Sequence, residues 1–331
     1  MQCSNYPVSL RLSSTMLEPR LNYVRCPGAL AAPQPGRAAA PDHRMAYWEW
    51  NATGDPAHPH VIVCVHGLSR QGRDFDTLAR ALARHARVVC PDVVGRGESD
   101  WLADPANYQV PVYAADMVAL LQQLHAQAPI GTFDWVGTSM GGLIGMVVCS
   151  LPAGSLPASV RRLVLNDVGP AIEWSALERI GEYLGAPVRF ESPEQAAAQL
   201  WAVSTSFGPH TPEAWMALTR PMLRATPEGS YRLHYDPAIA EPFNALTREA
   251  AEQGEALLWQ LYDAIGAETL VLRGAESDLL SPATVRAMAE RGPRARCREF
   301  PGVGHAPTLV AADQVQAVAD FLLAARTEGS P

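Results

Sequence analysis

Phe133-Asp134-Trp135-Val136-Gly137-Thr138-Ser139-Met140-Gly141-Gly142-Leu143-Ile144-Gly145-Met146-Val147-Val148 compresses three structural signals into one short stretch. Residues 133–136 have the apolar, aromatic character of a buried strand, and residues 140–148 that of a buried helix. Between them stands Gly137-x-Ser139-x-Gly141. Glycine at both flanks permits a turn too tight for a Cβ, which lifts the serine hydroxyl clear of the sheet edge. The helix behind it aims unpaired N–H groups at that hydroxyl, where negative charge develops when a carbonyl is attacked. A five-residue pattern recurs by chance in a glycine-rich chain. The strand before it and the helix after it are what make Ser139 a candidate nucleophile.

Working outward, the same rhythm continues on both sides. Residues 61–65 form an unbroken apolar run of the kind covered on both faces of a parallel sheet. A helix pattern over 75–85, a strand at 87–90, a helix over 112–126 and a strand at 162–166 follow, and this alternation predicts an α/β fold with helices on both faces of a mostly parallel sheet. After Gly169 the strands stop. Several helices are expected up to about 266, the first over 173–184. Ser192-Pro193 and Thr211-Pro212 pair an N-cap residue with Pro at the first helical position, and Ser192 with Gln195 fits a capping box. Strands resume at 269–273 and 296–300, and a helix over 314–325 closes the chain. The expected organisation is an N-terminal extension over 1–44, partly flexible through 27–41, a core of 45–168 and 267–331, and a helical cap over 169–266.

The chain has 331 residues, an apolar fraction of 48% and a formal net charge of -8, with no lysine. Those values suit one large globular domain, and the acidic balance without a basic run argues against nucleic acid as a partner. Six cysteines show no C-x-x-C pair and no metal-ligand spacing, and His58-Pro59-His60 lacks a third ligand, so no metal is expected. Cys64, Cys90 and Cys149 lie inside apolar runs and read as small buried hydrophobes. The first residues lack the apolar core of a secretory signal, and no run is long enough to span a bilayer. Reduced thiols in a cytoplasmic setting, with no membrane partner, are the expectation. Met16 is a second possible start beside Met1.

A serine hydroxyl needs a base to remove its proton. His305, in Gly302-Val303-Gly304-His305-Ala306, follows the last expected strand, and Asp278 follows the strand at 269–273. Both therefore fall at the carboxyl edge of the sheet, in the order nucleophile, acid, base. Asp278 is the expected acid, with Glu276 and Asp167 as rivals. His66, in His66-Gly67-Leu68, precedes the nucleophile and reads as structural, while the backbone N–H groups of Leu68 and Met140 are the expected oxyanion donors. His66, Arg70, Trp174 and Phe207 are the pocket candidates. Arg70 and Arg73 could hold a substrate carboxylate or simply lie at the surface.

Taken together, His66-Gly67, Asp92-x-x-Gly95-x-Gly97-x-Ser99, Gly137-Thr138-Ser139-Met140-Gly141-Gly142, Asp278 and Gly304-His305 resemble the α/β-hydrolase superfamily. Within it the chain looks like the lid-bearing branch of bacterial carboxylesterases, enol-lactone hydrolases and carbon–carbon bond hydrolases. The resemblance implies an eight-stranded, mostly parallel sheet with a helical cap, and no cofactor. It runs from about Met45 to the last helix. Ser139 in place of Asp speaks against haloalkane dehalogenases and epoxide hydrolases, and Ser69 stands where those families usually place Pro after the His-Gly pair. The expected activity is hydrolysis of a carboxylic ester, or a related small acyl substrate, through an acyl-enzyme on Ser139. Carbon–carbon cleavage, lactone opening or perhydrolysis on the same residues is a second reading. A non-catalytic ligand-binding protein of the same fold is a third.

Overall fold

Alternating side-chain exposure along each central strand explains the layering of the molecule. In the computed structural model, which describes residues 17–28 and 41–325, Val61, Val63 and Val65 pack into one apolar cluster while Ile62 and Cys64 pack into another. The period-2 geometry of a strand sends successive side chains to opposite faces, so an unbroken apolar run must be covered twice. One face is covered by helices Val110–Gln127 and Met140–Cys149, through Met117, Leu120, Leu124 and Ile144. The other is covered by Asp76–Leu82 and Ala312–Leu323, through Leu78, Leu82, Val318 and Leu322.

The strands in chain order are β1 (Arg20–Cys26), β2 (His43–Trp50), β3 (His60–Val65), β4 (Arg87–Pro91), β5 (Thr132–Thr138), β6 (Val160–Asn166), β7 (Leu223–Ala225), β8 (Tyr231–Leu233), β9 (Glu268–Gly274) and β10 (Arg296–Phe300). Eight of them form one sheet in the order β1-β2-β4-β3-β5-β6-β9-β10, and β7 and β8 form a separate hairpin. β2 runs antiparallel to both neighbours, and the remaining pairs are parallel. The α/β-hydrolase architecture expected above is therefore present. Because these pairs are parallel, the carboxyl ends of β3, β5, β6, β9 and β10 lie at one edge.

Three expectations about the layout need correction. The N-terminal extension over 1–44 is not outside the sheet, because β1 pairs along its full length with β2. An edge strand, RLNYVRC, in which only Val24 and Cys26 are buried, carries little apolar periodicity to read. The insertion after β6 is not wholly helical, since β7 and β8 interrupt its helices Trp174–Tyr183, Pro193–Val203, Pro212–Thr219 and Arg248–Asp263. The capping box is half made. Ser192 accepts from the Gln195 N–H at 3.1 Å, but the Gln195 amide oxygen takes the Glu191 N–H instead of that of Ser192. The choice between Met1 and Met16, Cys3 and most of the expected flexible segment 27–41 lie outside the described residues.

Candidate active site

Ser139 stands between the end of β5 and the first residue of helix Met140–Cys149, with φ 51° and ψ -117°. A left-handed backbone at a residue with a Cβ is strained, and it holds only because the neighbours leave no alternative. At Gly141 a Cβ would stand 2.0 Å from the Val65 carbonyl oxygen, and at Gly137 it would stand 2.3 Å from the Gly141 oxygen. Glycine is obligatory at both places. The Ser139 N–H donates to the Asn166 carbonyl at 3.0 Å, which ties the turn to β6.

His305 brings the chemistry together. Its Nε2 lies 3.0 Å from Ser139 Oγ, and its Nδ1 lies 2.7 Å from Asp167 Oδ2. With Nδ1–H donating to the carboxylate, Nε2 is left as an acceptor for the serine hydroxyl. Asp167 is fully buried and follows β6 directly, with φ 55°. Its Oδ1 accepts the Gly274 N–H at 2.9 Å, and Oδ2 also accepts the Ser277 hydroxyl at 2.6 Å. The chain of hydrogen bonds can therefore move a proton off Ser139 and stabilise the imidazolium that results.

Asp278 does not join this chain. Its carboxylate takes Arg179 Nε at 2.7 Å and the Arg179 terminal nitrogen at 3.0 Å, and both side chains are close to half exposed. The correction has a geometric cause. β6 and β9 are neighbours ending at the same edge, so an acid after either one is in reach. The turn after β9 points Ser277 inward and Asp278 outward, toward the first helix of the insertion.

His66 is buried, and burial pulls its imidazole down to about 3. Its Nδ1 meets the Gly67 carbonyl at 2.7 Å and its Nε2 accepts the Val93 N–H at 2.9 Å, so the ring is a neutral brace between two loops. The N–H groups of Leu68 and Met140 have no acceptor among the described residues. Arg96, which stands at an unspecified position of the Asp92-to-Ser99 motif, is fully buried and touches both of these residues. It donates to the Leu68 carbonyl at 2.8 Å and the Val94 carbonyl at 2.7 Å, and lies 3.7 Å from the Met140 sulfur. Its backbone also bridges Tyr235 of the insertion. A lone arginine between two glycines gives no periodic signal; only its company in the fold marks it.

A cavity beside Thr138 is lined by Arg70, Asp74, Phe207 and Leu218, with His66 and Thr308. His66, Arg70 and Phe207 thus line one cavity, whereas Trp174 is not among its lining residues. It begins helix Trp174–Tyr183. Arg73 also turns away, pairing with Asp76 at 2.6 Å and stacking over Trp48. The insertion reaches the His305 loop directly. The Gly304 N–H donates to the Ser206 carbonyl at 2.5 Å, and His210 meets the Thr308 hydroxyl at 2.8 Å.

Away from the site, Cys26, His43 and Asp116 place one donor atom each within 4.8 Å of the others. His43 Nε2 pairs with Asp116 at 3.0 Å and burial pushes the Cys26 thiol far up, while His43 Nδ1 and Asp116 Oδ1 are buried without a hydrogen-bond partner among the described residues. The five described cysteines are free. Among the described residues, no helix is long and apolar enough to cross a membrane.

Residues 62–321 match the family model described as "Alpha/beta hydrolase family". The chain belongs to that family. This α/β hydrolase is 49% identical over 312 residues to a 3-hydroxybutyrate-oligomer hydrolase from Cupriavidus necator, an alignment covering 93% of this chain and 99% of the relative. It resembles the solved structure of an α/β hydrolase from Novosphingobium aromaticivorans with a TM-score of 0.76 and 33% identity, covering 93% of this chain and 99% of that one. A structure from Rickettsia typhi superposes with a TM-score of 0.79 at 27% identity, covering 93% and 100%.

Proposed function

We propose that this α/β hydrolase cleaves carboxylic esters through an acyl-enzyme on Ser139, and that its substrates include oligomers of 3-hydroxybutyrate. The observation carrying the reading is the unbroken line from Asp167 through His305 to Ser139, at 2.7 and 3.0 Å. An oligomer of a hydroxy acid is a chain of esters, and the Cupriavidus relative bears that substrate in its name.

The steps follow from the hydrogen bonds. Ser139 Oγ attacks the ester carbonyl carbon while its proton passes to His305 Nε2. Asp167 keeps the imidazole proton on Nδ1 and offsets the charge of the imidazolium. The oxyanion accepts from the N–H groups of Leu68 and Met140, and two such donors in a water-poor site stabilise the transition state by a few kcal/mol. When the carbon–oxygen bond to the leaving alkoxide breaks, His305 returns the proton to that oxygen. Water then gives a proton to Nε2 as its oxygen attacks the acyl carbon. Collapse of that second intermediate releases the carboxylic acid and restores the serine hydroxyl.

An intact, hydrogen-bonded acid, base and nucleophile supports catalysis over a silent binding role. Free cysteines among the described residues are consistent with a reducing, cytoplasmic setting. The test is Ser139→Ala assayed on a chromogenic short-chain ester. A loss of at least ~10⁴-fold in kcat is expected, with the fold intact by circular dichroism. Turnover within tenfold of wild type would remove Ser139 from the mechanism.

A further inference from the structure

Arg70 and Asp74 stand four residues apart in the segment after β3, and both line the cavity beside Thr138. Arg70 is close to Ser139. A Cβ placed on Gly67 would lie 3.7 Å from Ser139 Cβ and 3.8 Å from Arg70 Cγ, so the two side chains flank the same spot. Asp74 accepts from Arg70 Nε at 2.5 Å and from one terminal nitrogen at 2.8 Å. The second terminal nitrogen, Nη1, has the thioether of Met222 as its partner, and the guanidinium lies 5.9 Å from the centre of the Phe207 ring. Both partners come from the insertion. Burial pushes the Asp74 carboxyl up, against the pull of Arg70.

A charged pair in the wall of an otherwise largely apolar cavity offsets part of its own desolvation, and the lone pairs and N–H that the pairing leaves over are free to meet a ligand group. The pair itself says which group. A free carboxylate would confront Asp74 and find the paired edge of the guanidinium already taken. A plain alkyl chain would strip water from the pair and give nothing back. A hydroxyl does both jobs, because its hydrogen can go to a free lone pair of Asp74 while its oxygen accepts from Arg70 Nη1, whose thioether partner is a weak acceptor.

We propose that Arg70 and Asp74 recognise the free hydroxyl of a short 3-hydroxyacyl group bound as the acyl part of the ester. The proposal rests on Ser139 esterolysis and adds a direction to it. An internal unit of an oligomer carries an ester oxygen at that position and has no hydrogen to donate, so the acyl group accepted is the one at the hydroxyl end. Monomer is then released from that end, one unit per turnover.

Three p-nitrophenyl esters test this on the wild-type enzyme: butyrate, 3-hydroxybutyrate (each enantiomer) and 3-methoxybutyrate. One enantiomer of the hydroxy ester should exceed both other esters in kcat/KM by at least about tenfold, since a site built around a hydroxyl discriminates strongly against analogues lacking it. The double variant Arg70→Met with Asp74→Leu removes the pair without stranding a charge, and should bring the hydroxybutyrate-to-butyrate ratio down at least about fivefold. Equal rates for the three wild-type reactions overturn the assignment and leave the esterase reading standing. A methoxy ester as fast as the hydroxy ester, or a ratio unchanged in the double variant, overturns it too. Turnover of none of them overturns both readings. Should the double variant fail to fold, the wild-type comparison alone decides.

Discussion

Replacing Asp167 by Asn isolates the acid with almost no change in shape. The carboxylate accepts three hydrogen bonds, from the Gly274 N–H, the Ser277 hydroxyl and His305 Nδ1. An asparagine whose oxygen keeps the Gly274 N–H must turn its NH2 toward His305. Two donors would then face each other, so the imidazole moves its proton to Nε2 and loses the lone pair that receives the Ser139 proton. The same substitution in an analogous triad lowers kcat about 10⁴-fold, which corresponds to roughly 5.4 kcal/mol of barrier at 1.36 kcal/mol per decade. Asp278→Asn provides the contrast. That variant loses a pair with Arg179 in which both partners are more than two-fifths exposed, and exposed pairs contribute on the order of 0.2–1 kcal/mol to stability. Its kcat should stay within about twofold. The assay is steady-state turnover of p-nitrophenyl butyrate, with Tm measured alongside. A larger loss in Asp278→Asn than in Asp167→Asn, both folded, would refute the assignment and return the acid to the loop after β9.

Arg96→Met should lower kcat by about 10²–10³-fold with little change in KM, because the carbonyl of Leu68 loses its donor and the oxyanion N–H it aims is no longer held. The Ki of a boronic acid mimic should rise in parallel; a rise in KM with kcat intact would make Arg96 a mere packing residue. His66 and Asp92 contribute to the pH profile of stability in opposite directions. His66 is depressed to about 3 in the folded state, so the unfolded chain alone takes up its proton as pH falls through about 6.5, and stability drops. Asp92 is raised to about 6 by burial, so the folded chain takes up that proton first, and stability rises as pH falls from 6 toward its ordinary value. Between pH 6 and 4 the two nearly cancel. His66→Gln should therefore gain up to about 1.4 kcal/mol per pH unit relative to wild type over that interval. Urea unfolding at pH 6, 5 and 4 measures it, and parallel curves for the two proteins would refute the reasoning.

How much of this was legible in the sequence varies with the range of the interaction involved. The strand, turn and helix around Ser139 are set by neighbours in the chain: apolar residues at strand and helix spacing, and glycines where a Cβ would strike the backbone of Val65 or Gly141. His305 was legible because its loop follows the last strand, and a parallel sheet carries that edge to the nucleophile. His66 was readable as structural, and its two hydrogen bonds to neighbouring loops supply the reason. Edge strand β1 was not, since only Val24 and Cys26 of its side chains are buried, too short an alternation to read.

The acid depended on something no local pattern contains. Asp167 and Asp278 follow strands that are hydrogen-bonded neighbours, so chain order and sheet edge favour neither. The left-handed turn at Asp167 and the outward turn at Asp278 decide it, and both are fixed by contacts with distant residues, Gly274 and Arg179. The same holds for the cavity. Arg70 and Asp74 at four-residue spacing could pair on any helical surface, and only the packing of Phe207, Leu218 and Met222 from the insertion makes that pair a wall beside Ser139. The sequence by itself determined the sheet and the turn at Ser139, and it pointed to Ser139 and His305 as the proposed nucleophile and base, because those rest on short-range spacing and chain order. Tertiary structure decided which carboxylate meets His305, the brace at Arg96 and the polar pair in the cavity wall, because each depends on side chains that meet only after the chain has folded.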